Sequence, residues 1–153
     1  MSEKFDRQSS FGWLINVMAN DAAKTFDTEL KKHGLTIALW PTLMCLWEEE
    51  GVTQREIAQK SKVENSTTTR TLDKLEKLGL VERQADPNSR RSFRIYLTDE
   101  GRALRKTLTP IPVAINKKML SSLEPEEQRE IIRLLQKMVA AISGKKINDE
   151  AVE

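Results

Sequence analysis

Leu14, Val17, Met18, Ala22, Phe26 and Leu30 recur at three- and four-residue spacing between Phe11 and Lys32. That period predicts an amphipathic helix, and Gly34 is its expected stop. A second apolar face follows in Leu39, Leu43, Leu46 and Trp47, with Thr36 as the expected cap and Glu50 as the last helical residue before Gly51. Pro41 interrupts it. Proline has no N–H to offer the carbonyl four residues back, so regular helix either begins near Trp40 or kinks there.

Thr53-Gln54-Arg55-Glu56 reads as a capping box. Each of its outer side chains satisfies the other residue's unpaired N–H. The short helix it opens buries Ile57 and Ala58, and Ser61-Lys62-Val63 forms a polar turn. A third helix is expected from Glu64 or Asn65 to Gly79, with Leu72, Leu75 and Leu78 inward. A short capped helix, a tight turn and a longer helix in that order are the layout of a helix-turn-helix.

The period changes after Gly79. Leu80-Val81-Glu82-Arg83 reads as a strand. Ala85 to Arg91 is a basic, turn-rich loop, and Phe93, Ile95 and Leu97 alternate with polar neighbours as a half-buried strand. Two strands around a basic loop predict a β-hairpin wing. Thr98 then caps a helix starting at Asp99, which Pro110 and Pro112 bend or break near Thr109. A final helix opens at Pro125, a favoured first position, and is expected to bury Ile131, Leu134, Leu135, Met138 and Ile142. The polar stretch 144–153 is expected to be a flexible tail.

Composition narrows the function. At 153 residues the chain is expected to be one domain, and no apolar run approaches the roughly 18 residues of a membrane span. The polar N-terminus lacks the apolar core of a signal peptide, so a cytoplasmic protein is expected. One cysteine allows no internal disulfide. With a single histidine as well, a zinc site is not expected, nor is a Cys–His nucleophile. Cys45 reads as packed and His33 as a helix-end residue. No catalytic constellation and no phosphate-binding glycine loop is present, so neither an enzyme nor a cofactor is predicted. The net charge of +2 is unevenly spread: residues 52–106 carry thirteen basic and eight acidic side chains, a local excess of +5. A segment of that sign suits phosphate contact.

Two places carry the chemistry. Asn65-Ser66-Thr67-Thr68-Thr69-Arg70 opens the third helix. Threonines are poor helix formers, so the stretch calls for a reason. With the leucines inward, Ser66 and Arg70 turn outward, with Thr67 and Thr69 nearby. Small hydroxyl side chains can approach base edges, and arginine can reach guanine through two bonds. The second place is the wing, whose Arg90, Arg91 and Arg94 suit a narrow, electronegative minor groove. Thr53, Gln54 and Lys62 are expected phosphate anchors.

The sequence resembles the MarR family of bacterial transcription regulators. The resemblance is carried by Leu35-Thr36, Thr53 to Ala58, Ser66 to Arg70, Leu75 to Arg83, Asp86 to Arg91 and Leu97 to Gly101. It implies a mainly α chain with a small β-hairpin wing, a winged helix-turn-helix with N- and C-terminal dimerisation helices. Residues 1–143 would form the chain proper, with about 35–104 as the DNA-binding lobe and about 5–33 and 105–143 as dimerisation helices. It implies a homodimer on near-palindromic double-stranded DNA, acting as a ligand-responsive repressor. A small aromatic or lipophilic effector would lie between lobe and dimerisation helices, with Trp13, His33, Trp40 and Met44 as candidate contacts. Cys45 does not match the family's peroxide-sensing position, and one histidine argues against its metal sensors.

Two positions depart from the family pattern. Ser89 stands where an aspartate usually holds the wing arginine, here Arg91, whose partner is then Asp86 or nothing. Thr68 stands where an aliphatic residue is usual. The competing function is a winged-helix adaptor that binds protein and not DNA.

Overall fold

Helix α1 runs Phe11–Lys31, opened by the Ser10 hydroxyl accepting from the Trp13 N–H. The computed structural model describes residues 4–143. Only the C-terminal part of α1 reaches the core: Phe26 and Leu30 are buried, whereas Leu14, Val17 and Met18 stay exposed against the expectation.

The turn after α1 passes through Gly34 in the left-handed region. Thr36 makes no side-chain cap. Instead the Asp27 carboxylate accepts the Ile37 N–H at 3.0 Å and pairs with Lys31. A 3₁₀ turn, Ile37–Leu39, leads into α2, Trp40–Glu48. Pro41 therefore sits in the first turn, where its missing N–H has no intrahelical partner to lose. The helix ends at Glu48, two residues before the expected Glu50. Gly51 has φ +74°, and a Cβ there would lie 3.1 Å from the Tyr96 hydroxyl.

Helix α3, Gln54–Ser61, opens with the predicted box: Thr53 Oγ1 accepts from Glu56 N and Glu56 Oε2 accepts from Thr53 N. Lys62 ends it in the left-handed conformation. Helix α4 spans Asn65–Lys77. Its inward face differs from the leucine triplet expected. Leu72 and Leu75 are fully buried, but Leu78 is 44% exposed, and Thr68 and Thr71 complete the buried face. At 100° per residue, 68, 71, 72 and 75 cluster on one side, while 78 lies at its margin and just past the last helical residue. The Thr68 hydroxyl is satisfied by donating to the Glu64 carbonyl at 3.0 Å, so a buried threonine is tolerated where an aliphatic residue is usual.

The sheet has three antiparallel strands, in the order β1 (Val52–Thr53), β3 (Phe93–Leu97), β2 (Val81–Ala85). The two-residue β1 carries no periodicity and is not apparent in the sequence. Val81 pairs with Leu97 and Ala85 with Phe93, which leaves residues 86–92 as the wing loop. Ile95 and Leu97 are buried, but Phe93, expected inward, is 52% exposed because it lies at the loop end beyond the core.

Thr98 caps α5, Asp99–Leu108, through Gly101 N. Gly101 is where two elements touch: a Cβ would fall 2.1 Å from the Leu80 carbonyl oxygen, and the Gly101 carbonyl accepts from Trp47 Nε1 at 2.9 Å. The Trp40 ring stands edge-on to both Phe26 and Trp47. Leu30, Leu39, Leu43, Leu46, Ile57, Leu72, Leu75, Ile95 and Leu108 form the fully buried centre. Burying side chains of this size contributes about 1.5–3 kcal/mol each.

The helix breaks at Thr109, as Pro110 and Pro112 predict, and α6 runs Pro110–Leu120. The chain divides into two compact units, one ending at Ile115 and the other beginning at Asn116. In the second, α7 (Pro125–Ile142) opens with a box between Glu124 and Glu127, and the Gln128 amide donates to the Leu120 and Leu123 carbonyls. Contrary to expectation, Ile131, Leu134, Leu135, Met138 and Ile142 are not buried. One helix and the end of another offer too little chain to enclose an apolar stripe. The expected tail, 144–153, lies outside the described residues.

Candidate nucleic-acid interface

The outward face of α4 follows from its inward one. Ser66, Thr67 and Arg70 are exposed. Among the described residues their side chains make no hydrogen bond or ion pair. On the same face Asp73 is held by Arg83, which reaches Asp73 Oδ1 through Nη2 and Glu76 Oε2 through Nη1, both at 2.7 Å. Arg83 thereby joins β2 to α4 and neutralises two acids. Arg70, Lys74 and Lys77 are left as unbalanced positive charge on the helix.

Asn65 and Thr69 are tied into the fold. The Gln54 side-chain amide, at the start of α3, donates to the Asn65 carbonyl (3.4 Å), to Asn65 Oδ1 (3.2 Å) and to Thr69 Oγ1. Thr69 Oγ1 in turn donates to the Asn65 carbonyl at 3.0 Å. Thr53 serves the capping box. Lys62 sits exposed at the α3–α4 turn. Arg55 escaped the sequence reading. It is exposed and among the described residues has no partner.

In the wing the three arginines divide: Arg90 and Arg91 lie in the loop and Arg94 on β3. Arg90 and Arg91 are exposed, with side chains unpaired among the described residues. Arg94 is committed to the fold: Nε donates to Asp86 Oδ1 at 3.2 Å and Nη1 to the Gly51 carbonyl at 2.7 Å. Asp86 also accepts from Asn88 N and from the Ser92 hydroxyl. The Asn88 N–H above all, then Ser92 and Arg94, hold its carboxyl below the usual carboxylate range. So Asp86 serves Arg94, and among the described residues Arg91 has no carboxylate. Ser89, in the place of the family's aspartate, accepts the Arg91 backbone N–H at 3.3 Å.

The candidate effector contacts do not converge. Trp13 lies on α1 under the Arg7 guanidinium, Trp40 belongs to the aromatic stack, and Met44 is exposed on α2. His33 lines a groove of about 390 Å³ with Leu35, Leu78, Leu80, Glu100 and Leu104. The other three do not line it. Cys45 is buried, and burial pushes its thiol pKa up, with Glu48 adding to the effect. A reactive thiol needs the opposite shift. No group of acids, histidine and cysteine able to hold a metal occurs among the described residues. Nor is any described helix long and apolar enough to cross a membrane.

Comparison with known proteins gives one answer. The MarR family model matches residues 35–93. The transcriptional repressor Rv2887 of Mycobacterium tuberculosis is 34% identical over 83% of this chain and 91% of its own length. A MarR transcriptional regulator from Methanosarcina mazei superimposes with a TM-score of 0.80 at 28% identity, covering 85% of this chain and 94% of that one. The Staphylococcus aureus MepR–DNA complex gives 0.79 at 25% identity, over 86% and 98%. The first two are named as transcription regulators, and the third is held with DNA. The helix-turn-helix with its basic wing, and the similarity that extends well beyond it, have one conclusion: the chain belongs to the MarR family of winged-helix transcription regulators.

Proposed function

We propose that this protein is a sequence-specific regulator of transcription, a ligand-responsive repressor acting as a homodimer on a near-palindromic operator. The observation that carries the DNA-binding part is the outward face of α4, where Ser66, Thr67 and Arg70 have no partner among the described residues and stand beside Lys74 and Lys77. Those side chains read base edges in the major groove, while Asn65 and Thr69 stand behind them, engaged by Gln54. Arg90 and Arg91 enter the flanking minor groove, and Arg94 backs them from within the wing. Thr53 and Lys62 meet phosphates. Two such helices read half-sites about one helical turn apart, roughly 34 Å.

The dimer is supported by the exposed apolar residues Leu14, Val17 and Met18 of α1, and separately by Leu134, Met138 and Ile142 of α7. Apolar stripes of that extent are ordinarily covered by a partner. Repression is supported by the named role of the Mycobacterium tuberculosis relative. An effector would use the His33 groove, because its wall includes Leu78 at the end of α4. A ligand acts only through a difference in affinity between the DNA-competent and incompetent arrangements.

Fluorescence anisotropy with a labelled random duplex at low salt tests the reading. Retention at micromolar protein, weakening steeply as salt rises, is expected. No binding under those conditions would favour the protein-binding adaptor.

A further inference from the structure

Gln54 occupies the second residue of the capping-box motif and would ordinarily be read as a phosphate contact. Its hydrogen bonds say otherwise. A threonine hydroxyl has one proton, and that of Thr69 goes to the Asn65 carbonyl. Thr69 Oγ1 must therefore accept from Gln54, which fixes the orientation of the Gln54 amide. The same amide nitrogen lies within reach of both Asn65 oxygens. Three acceptors in the first two turns of α4 thus converge on one donor group from α3.

This clamp compensates for a weak start to the helix. Its N-cap residue, Glu64, makes no side-chain cap, and the next five residues are asparagine, serine and three threonines. Such residues favour non-helical backbone, so the first turns of α4 need an external tie. Nor has Thr69 a hydroxyl proton left for a base acceptor.

We infer that Gln54 is a positioning residue for sequence recognition. Its amide clamps Asn65 and Thr69 and so holds the first turns of α4 in the rotation that presents Ser66, Thr67 and Arg70 to the bases. The inference rests on α4 being the DNA-reading helix. Loss of the clamp degrades the base-specific part of binding and leaves the phosphate part intact.

The experiment is a double-mutant cycle with Gln54→Ala and Thr69→Val. Each protein is measured on a duplex selected by the wild type and on a random duplex, across a salt series. Each single variant is expected to bind the selected duplex about tenfold more weakly, the scale of one lost hydrogen-bonded tie. Random-duplex affinity and the salt slope stay unchanged, and the double variant is about as weak as the worse single one. In the DNA-free proteins, amide exchange in residues 66–70 is expected to quicken in both single variants while Leu72 and Leu75 stay protected. Additive losses would overturn the inference. So would an equal loss on both duplexes with a shallower salt slope, which would make Gln54 a phosphate contact. Unchanged exchange at residues 66–70 would overturn it without any reference to DNA. A wild type that fails to distinguish selected from random duplex defeats the DNA-reading assignment itself, and the inference with it.

Discussion

Asp86 and Arg94 form the internal brace of the wing: the arginine Nε donates to Asp86 Oδ1 at 3.2 Å, and the aspartate side chain is 6% exposed. Through its other arm Arg94 reaches the Gly51 carbonyl, so one guanidinium ties the wing loop to the turn before β1. Arg91, three residues earlier, has no such tie among the described residues. Two arginines of one wing, Arg91 in its loop and Arg94 on β3, are thus assigned different work by their partners.

Arg94→Ala should therefore lower thermal stability, because it leaves the Asp86 carboxylate and the Gly51 carbonyl short of a donor. A loss of about 1–3 kcal/mol is expected. Arg91→Ala should leave the melting temperature unchanged and weaken binding to all DNA sequences, with a salt slope shallower by about one. Thermal melts and salt-dependent anisotropy on both variants check the division. A destabilised Arg91 variant beside a fully stable Arg94 variant would reverse it.

Arg70→Ala should cost about 1–3 kcal/mol on specific DNA and much less on random duplex, as expected for a bidentate contact to a base. Equal losses on the two would make Arg70 a backbone contact.

Gly101→Ala should be among the most damaging single-methyl changes in the molecule. The added carbon would lie 2.1 Å from the Leu80 carbonyl oxygen, and backbone cannot move aside as a flexible side chain can. A destabilisation of about 1–3 kcal/mol or more is expected by denaturant titration. A variant as stable as the wild type would mean that α5 and the Leu80 turn are less closely apposed.

Glu50 sets a pH dependence. The hydrogen-bonded Arg102 guanidinium above all, with help from the Leu97 N–H, holds its carboxyl below the ordinary glutamate range. A group depressed in the folded state adds stability that is fully present above the unfolded pKa, about 4.3, and is lost as pH falls through the lower folded value. Glu50→Gln should thus lose stability at neutral pH and show a flatter decline in acid. A variant with an unaltered acid limb would remove Glu50 from the linkage.

Much of this fold is legible in the residues. The capping box at Thr53 and Glu56, the break at Thr109, the wing around residues 86–92 and the Thr98 cap all follow from local chemistry and lie where the pattern puts them. What escaped was set by tertiary contacts. β1 is two residues long and exists only because β3 offers its edge. Leu78 fits the helical period yet lies past the end of α4, so period alone misplaces it. The apolar residues of α1 and α7 announce burial by their period, yet Leu14, Val17, Met18, Leu134, Met138 and Ile142 stand exposed. In the candidate site, sequence distinguished basic and hydroxyl residues from the core but could not tell which are already engaged. Arg94, Gln54 and Thr69 are tied into the fold, whereas Arg91, Ser66 and Arg70 have no side-chain partner among the described residues. That difference depends on partners from 8 to 43 residues away.

The most direct measurement of DNA reading by α4 is selection of bound sequences from a random duplex pool by the full-length protein. The expected product is a near-palindromic site with half-sites about 10 base pairs apart centre to centre, and Arg70→Ala should relax preference at one position in each half. A pool that emerges without enrichment, or with a site whose sequence preference is untouched by changes at Ser66, Thr67 and Arg70, would contradict it.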